Sequence, residues 1–279
     1  MTIQQVHYGP RLVAHPTGAL QSAILVAPGP SIEDVSPLQG EPSAKYERAA
    51  AQHAILTRTL EYFGVETHVL QVANGDPLAC AVADTAIGFE SGMIVMRPFA
   101  MSRRREAEWI EGECARLDLP IGAHIVSPGL LDGGDVLLAG DAVFVGVSER
   151  NNALGRSAFA QVARAYGMRT FEVAVAGRAS LRSVASAISG DTVVVAPQFV
   201  DPGIFRDAGF RTIVLEHTEE QQGAGVLALG DRHVIADLRY PNAVGQLRKS
   251  GVTVEAIDLY DFGKVGLVPA NLVLATKRL

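Results

Sequence analysis

Residues Leu131–Gly155 run LDGGDVLLAGDAVFVGVSERNNALG, and their reading decides the fold. Two β-rich runs, Asp135–Ala139 and Ala142–Val147, flank the pair Gly140-Asp141. Gly-Asp between alternating apolar runs predicts a hairpin, because the turn needs positive φ and glycine supplies it at little cost. Glu149, Arg150, Asn151 and Asn152 follow, and then a helix-like run from Ala153. Asp135 therefore stands at the mouth of one strand and Arg150 at the exit of the next. An acid and a base at one end of a hairpin suit the two ends of an amino-acid-like ligand.

Outward from this stretch the same unit recurs. Strands are predicted at Ser22–Ala27 and Glu66–Val72, with an amphipathic helix at Lys45–Phe63 between them and Gly64 as its cap. A hairpin, Thr85–Phe89 and Met93–Pro98, leads to a helix at Ser102–Leu117 and a strand at Ala123–Ser127. The opening hairpin leads to a helix at Ala153–Tyr166 and a strand at Arg169–Ala174. Ala185–Ser189 reads as helical, with strands at Thr192–Pro197 and Thr212–Glu216. The last unit is Gly225–Leu229, His233–Leu238, a helix at Asn242–Lys249 and Thr253–Leu259, with Asn271–Thr276 as a closing strand. Hairpin, helix and strand thus return about every 50 residues, the mark of a stacked or closed repeat. About five such α/β units can close into a ring around a polar channel.

Composition narrows the function. The chain has 279 residues, a formal net charge of −6 and 48% hydrophobic residues, enough for a large core. No linker-like segment divides it, so residues 1–279 are expected to form one domain. No apolar run approaches bilayer length and the N-terminus lacks a secretory layout, so a cytoplasmic protein without membrane contact is expected. The acidic balance and the lack of a basic stripe speak against nucleic acid. Two cysteines, Cys80 and Cys114, make neither a disulfide framework nor a zinc set, and the histidines lack metal-ligand spacing. Gly133-Gly134 is no dinucleotide fingerprint, and there is no phosphate loop. No cofactor and no metal are expected. Arg103-Arg104-Arg105 begins a predicted helix and reads as a solvated face.

Several words together carry a resemblance. AAAQHAILTRTLEYFGVETHVL (Ala49–Leu70), DTAIGF (Asp84–Phe89), MRPFAMSRRREAE (Met96–Glu108), LDGGDVLLAG, VFVGVSERNNALG and DLYDFGKVGLVPANLVL (Asp258–Leu274) stand in order. The chain resembles the dimethylarginine dimethylaminohydrolase branch of the pentein, or guanidino-group-modifying, superfamily. That resemblance implies a five-bladed α/β propeller with its site at the centre of the ring. It also implies attack on a guanidinium carbon by a cysteine thiolate, with a histidine as acid and base and carboxylates gripping the nitrogens.

Carried over word by word, the binding half is kept. Asp84 stands where the family grips the guanidinium, and Asp135 where an acid orients the histidine or the substrate. Arg97 and Arg150 stand where arginines hold the substrate carboxylate. The catalytic half is changed. Asn271 stands at the nucleophile position, Ser180 at the histidine position, and Ala83 replaces the glutamate before Asp84. An asparagine amide is a poor nucleophile and serine is no base near pH 7, so the covalent thiolate route is closed. The expectation is a divergent member that binds a small amino-acid-like ligand with a guanidino or amide end in the channel. If it is an enzyme, the expected reaction is hydrolysis or elimination at a C–N bond, with water rather than a protein thiolate as the attacking species and Asn271, Ser180 and Asp135 at the reacting end. The alternatives are a catalytically silent binding protein, or an amidine hydrolase that uses Cys80. Cys80 lies four residues before Asp84 and on a strand would share its face. The loop Gly29–Ser43 reads as a lid or an exposed connection, and the resemblance permits a monomer or a homodimer.

Overall fold

The computed structural model describes residues 12–72 and 75–279. Its strands and helices follow one another as β1 (Leu20–Val26), α1 (Tyr46–Tyr62) and β2 (Glu66–Leu70), then β3 (Ala86–Phe89), β4 (Gly92–Val95), α2 (Glu106–Arg116) and β5 (Ile121–His124). The next unit is β6 (Val136–Ala139), β7 (Ala142–Val147), α3 (Ala153–Ala165) and β8 (Arg169–Ala174). After it come α4 (Leu181–Val184), β9 (Ala185–Ser189), β10 (Thr192–Val195), α5 (Gly203–Asp207) and β11 (Arg211–Val214). The last stretch holds β12 (Leu227–Gly230), β13 (His233–Asp237), α6 (Pro241–Lys249), β14 (Thr253–Ile257), α7 (Tyr260–Gly263), α8 (Pro269–Leu272) and β15 (Leu274–Arg278).

These strands make five three-stranded sheets, β15-β1-β2, β3-β4-β5, β6-β7-β8, β9-β10-β11 and β12-β13-β14. In each, the first pair is antiparallel and the second parallel, with a helix in the parallel crossover. One sheet differs in chain order: β15 comes from the far end and pairs with β1, placing Ala23 against Ala275 and Ile24 against Leu274. This pairing closes the ring, and such radial repetition leaves the sheets only short, protected edges.

The hairpin at Gly140-Asp141 forms as its turn chemistry predicts. Gly140 has φ +50°, and a Cβ there would lie 2.5 Å from the Gly190 carbonyl oxygen of the next sheet's hairpin. Glycine is thus required both by the turn and by the neighbouring blade. On α1 the buried residues Ala49, Gln52, His53, Leu56 and Leu60 follow helical spacing and cover β1. The apolar clusters lie between neighbouring sheets, and the inner strands β3, β6, β9, β12 and β15 face the axis. Phe144 anchors the largest cluster, its ring 5.2 Å from Phe171, 4.7 Å from Phe205 and 5.6 Å from Phe210.

Two local expectations are corrected. Ala185–Ser189 is strand β9, not helix; only the turn before it, α4, is helical. Its Ala/Ser residues hold no strong local preference, and pairing with β10 decides the conformation. Asn271 lies in α8, not on a strand, because Pro269 at its start favours a helical turn before β15 begins at Leu274. The loop Gly29–Ser43 contains a short 3-10 turn, Pro30–Asp34, and is tied down where the Leu38 N–H donates to the Lys264 carbonyl (2.7 Å) and Arg239 to Glu41.

Two outcomes follow from this architecture. Phe144→Ala should cost about 3–5 kcal/mol in urea unfolding with an unchanged slope, since three aromatic neighbours cannot all collapse into the void. Asp237 is buried at the end of β13, where Oδ1 accepts from the Arg239 and Leu259 N–H groups and Oδ2 has no partner. Burial pushes its pKa up from 3.8 to about 6. A raised carboxyl pKa stabilises the fold only while protonated, so this contribution is full below about pH 4 and is lost as pH rises through 6. Asp237→Asn, which cannot ionise, should therefore gain on the wild type between pH 4 and 6. Its advantage at pH 7 should be about 1–3 kcal/mol by melting curves.

Candidate functional site

All five inner strands run in the same sense about the axis, so the turns that precede them gather at one end of the ring. Asp84 closes the 3-10 turn Val82–Asp84 before β3, and Asp135 the 3-10 turn Gly133–Asp135 before β6. Ser180 caps α4 before β9, and Asn271 lies in α8 before β15. The four turns pack on one another. Gly134 sits at their junction: a Cβ there would be 2.4 Å from Asp84 Oδ1 and 3.3 Å from Ser180 Oγ. Without a side chain at 134, the Asp84 carboxylate and the Ser180 hydroxyl share one small space.

Asp84 is buried, and Arg103 Nη1 donates to its Oδ2 at 2.6 Å. Arg150 Nη2 is 3.5 Å from the same oxygen. Oδ1 has no hydrogen-bond partner and faces Gly134. Arg103 is itself buried and also donates to Glu106 (2.8 Å) and to the Ala81 carbonyl (3.0 Å). Arg150 holds Asp132 through Nε and Nη2, both 3.1 Å from Oδ2. The Phe99 N–H donates to the other oxygen of Asp132 (2.7 Å). Burial and then the charge of Asp84 push the Asp132 carboxyl up to about 6, against the pull of Arg150. This places its titration close to neutrality.

Asp135 is fully buried and its oxygens are occupied by the protein. Ser148 Oγ and Asn151 Nδ2 donate to Oδ2 at 2.6 and 2.8 Å, and the Leu181 N–H donates to Oδ1 at 3.0 Å. It ties the exit of β7 to the start of α4 and so positions Ser180. Burial raises its pKa, while these hydrogen bonds oppose the rise. Asn271 is buried; its side-chain carbonyl accepts from the Val268 N–H (3.1 Å). Arg97 is turned elsewhere: Nη1 donates to the Gly129 carbonyl (3.1 Å), and its backbone bridges Leu131.

Cys80 lies in the turn before Asp84 rather than on a strand, packed among Ala23, Leu25 and Leu272. Burial pushes its thiol up to about 12, and that of Cys114 up to about 11, so both are protonated at neutral pH. His124 and His233 pair with Glu111 and Glu255 instead of pointing inward. Among the described residues no three His, Cys, Asp or Glu side chains gather as a metal site.

An outer cavity of about 280 Å³ opens beside the acid cluster, lined by Phe99, Ser148, Glu149, Arg150, Arg178 and Ala179 among others. The structure thus brings Asp84, Asp135, Ser180, Asn271 and Arg150 to one end of the ring. Arg97 does not line this cavity. Sequence reasoning missed two partners. Asp132 was legible only as an acid in the quoted word, and Arg103 only through the glutamate three residues later.

No family model matches the chain. It is similar to the N(G),N(G)-dimethylarginine dimethylaminohydrolase of Streptomyces coelicolor, with 30% identity over 203 residues, 72% of this chain and 76% of the relative. It is 26% identical to the enzyme of that name from Pseudomonas aeruginosa over 220 residues, 79% of this chain and 85% of the relative. The solved structure of a cysteine-to-serine mutant of the Pseudomonas aeruginosa enzyme complexed with citrulline superposes with TM-score 0.83 at 24% identity, covering 92% of this chain and 99% of that one. The five-sheet ring is therefore the pentein propeller.

Arg103→Met should cost about 3–5 kcal/mol, because it leaves the buried Glu106 carboxylate without its cation and Asp84 with only the more distant Arg150. Arg105→Ala, two residues along on the exposed side, should stay within about 0.5 kcal/mol in the same unfolding assay.

Proposed function

From the chain's membership of the dimethylarginine dimethylaminohydrolase family, we propose that it binds an amino-acid-like ligand with a guanidino, ureido or amide end and does not cleave it through cysteine. The unpartnered Oδ1 of buried Asp84 carries this reading, because a buried acceptor without a donor is costly and a ligand N–H relieves the cost. The Ser180 hydroxyl lies at the same space, the turn that carries Asn271 packs against the turn of Asp84, and Asp135 is a positioning residue for Ser180. The ligand's carboxylate lies in the outer cavity, against Arg150 and the exposed Arg178. Arg97 supports the reading less, since its guanidinium is engaged by Gly129. The bound citrulline in the Pseudomonas aeruginosa relative supports the ligand class. The proposal takes residues 1–279 as one domain, since β15 closes on β1. No helix of the described residues is long and apolar enough to cross a membrane.

The absent thiolate follows from side-chain chemistry. Neither Asn271 nor Ser180 supplies a nucleophile–base pair at pH 7, and the buried Cys80 stays a thiol. A second reading rests on Asp132. A carboxylate that titrates near 6 beside the site is suited to general-base activation of water, giving C–N hydrolysis without a covalent intermediate.

Melting curves with citrulline, arginine and methylarginines separate these readings. One of them should raise the Tm by about 5 °C at a hundredfold excess over Kd. Arg150→Met should weaken binding about tenfold or more. If no compound moves the Tm, the binding proposal fails. Release of ammonia or amine that survives Cys80→Ala but is lost in Asp132→Asn establishes the water mechanism. Release lost in Cys80→Ala overturns the exclusion of cysteine.

A further inference from the structure

The inner strands enclose a second space that the acid cluster does not use. It is a cavity of about 90 Å³ inside the ring, walled by apolar residues such as Ile87, Leu137 and Leu227. Two guanidinium groups, Arg182 and Arg278, and one hydroxyl, Ser186, line it, and no described acidic side chain does.

Neither cation has a carboxylate partner in the cavity. Arg278 is buried and donates only to neutral carbonyls, Nη1 to Gly18 (2.9 Å) and Nη2 to Ala228 (2.7 Å). Asp84 is the acid whose field reaches Arg182, but no hydrogen bond or ion pair joins the two: its Oδ2 is held by Arg103 and Arg150, and its Oδ1 has no partner among the described residues. The two cavity guanidiniums also repel: burial, and then the charge of Arg182, lower the Arg278 pKa to about 9. Both remain cations at pH 7. Ser186 is 4% exposed, and its Oγ has no hydrogen-bond partner.

Two like charges and an idle hydroxyl at one small cavity are costly unless a counter-charge joins them. We propose that the propeller axis is an anion site, in which Arg182, Arg278 and Ser186 Oγ hold one small monovalent anion such as chloride, nitrate or a short carboxylate. Size restricts the class. By the same measure one water needs about 10–15 Å³, so the cavity takes an ion of a few atoms together with several waters. The site is separate from the ligand cavity at the ring's end and does not depend on the function proposed for it.

The test is thermal unfolding of the whole chain at fixed ionic strength, with chloride or nitrate replacing gluconate, which is too large for the cavity. The wild-type Tm should rise linearly with the logarithm of chloride once the site saturates. Arg182→Leu should flatten that slope, and Ser186→Ala should shift it to higher chloride. Equal slopes in wild type and both variants overturn the proposal. Crystals of the wild type grown in bromide give a readout that needs no variant. An anomalous peak between Arg182 and Arg278 is expected, and its absence at saturating bromide overturns the site.

Discussion

Pairing of β15 with β1 is the constraint on which the rest of the structure depends. It joins the two ends of the described chain into one sheet and turns four consecutive β-β-α-β units into a closed ring. Closure brings α8, and Asn271 with it, against the turn that carries Asp84 nearly two hundred residues earlier. Each inner strand then contributes the turn before it to one end of the axis. The site is a consequence of the symmetry, since equivalent positions in different blades meet there.

Charge at that end is arranged in two tiers. Arg103 is sealed in by Asp84, Glu106 and Ala81 and acts as an internal counter-ion. Arg150, a third exposed, bridges Asp84 and Asp132 at the rim of the outer cavity. Such a network is stable only as a whole, because losing one member leaves another buried and unpaired. It leaves a single acceptor, Asp84 Oδ1, aimed into the centre. Below, the axis carries the opposite imbalance, cations without acids. Among the described residues the ring thus leaves an unpartnered acceptor, Asp84 Oδ1, at one level and two guanidiniums without a carboxylate partner at another.

Ser180, Asn271 and Asp135 all have structural duties in the turns that carry them. Ser180 and Asn271 keep the backbone roles of their turns: the Ser180 carbonyl accepts from Ser183, and the Asn271 side chain caps α8. Both residues serve the fold at these positions, and neither carries a thiol or an imidazole. Asp135, bound by three donors, serves the same scaffold.

Much of this was written in the sequence. Period-2 runs, turn glycines and amphipathic helices repeat at a fixed interval, and these are local properties, so the blade and its recurrence could be read directly. Residue identity alone says that Asn271 and Ser180 carry neither a thiol nor an imidazole. Partnership was not local. Arg103, in a run of three arginines, looks like its exposed neighbour Arg105 until packing of the 3-10 turn against Asp84 buries it. Ala185–Ser189 has no strong preference until β10 pairs with it, and Arg97 turns to Gly129 because its backbone bridges Leu131. The sequence determined which chemical groups exist and how each blade folds. Only tertiary closure decided which charges are buried, which are paired and which face a cavity, because those depend on side chains from other blades.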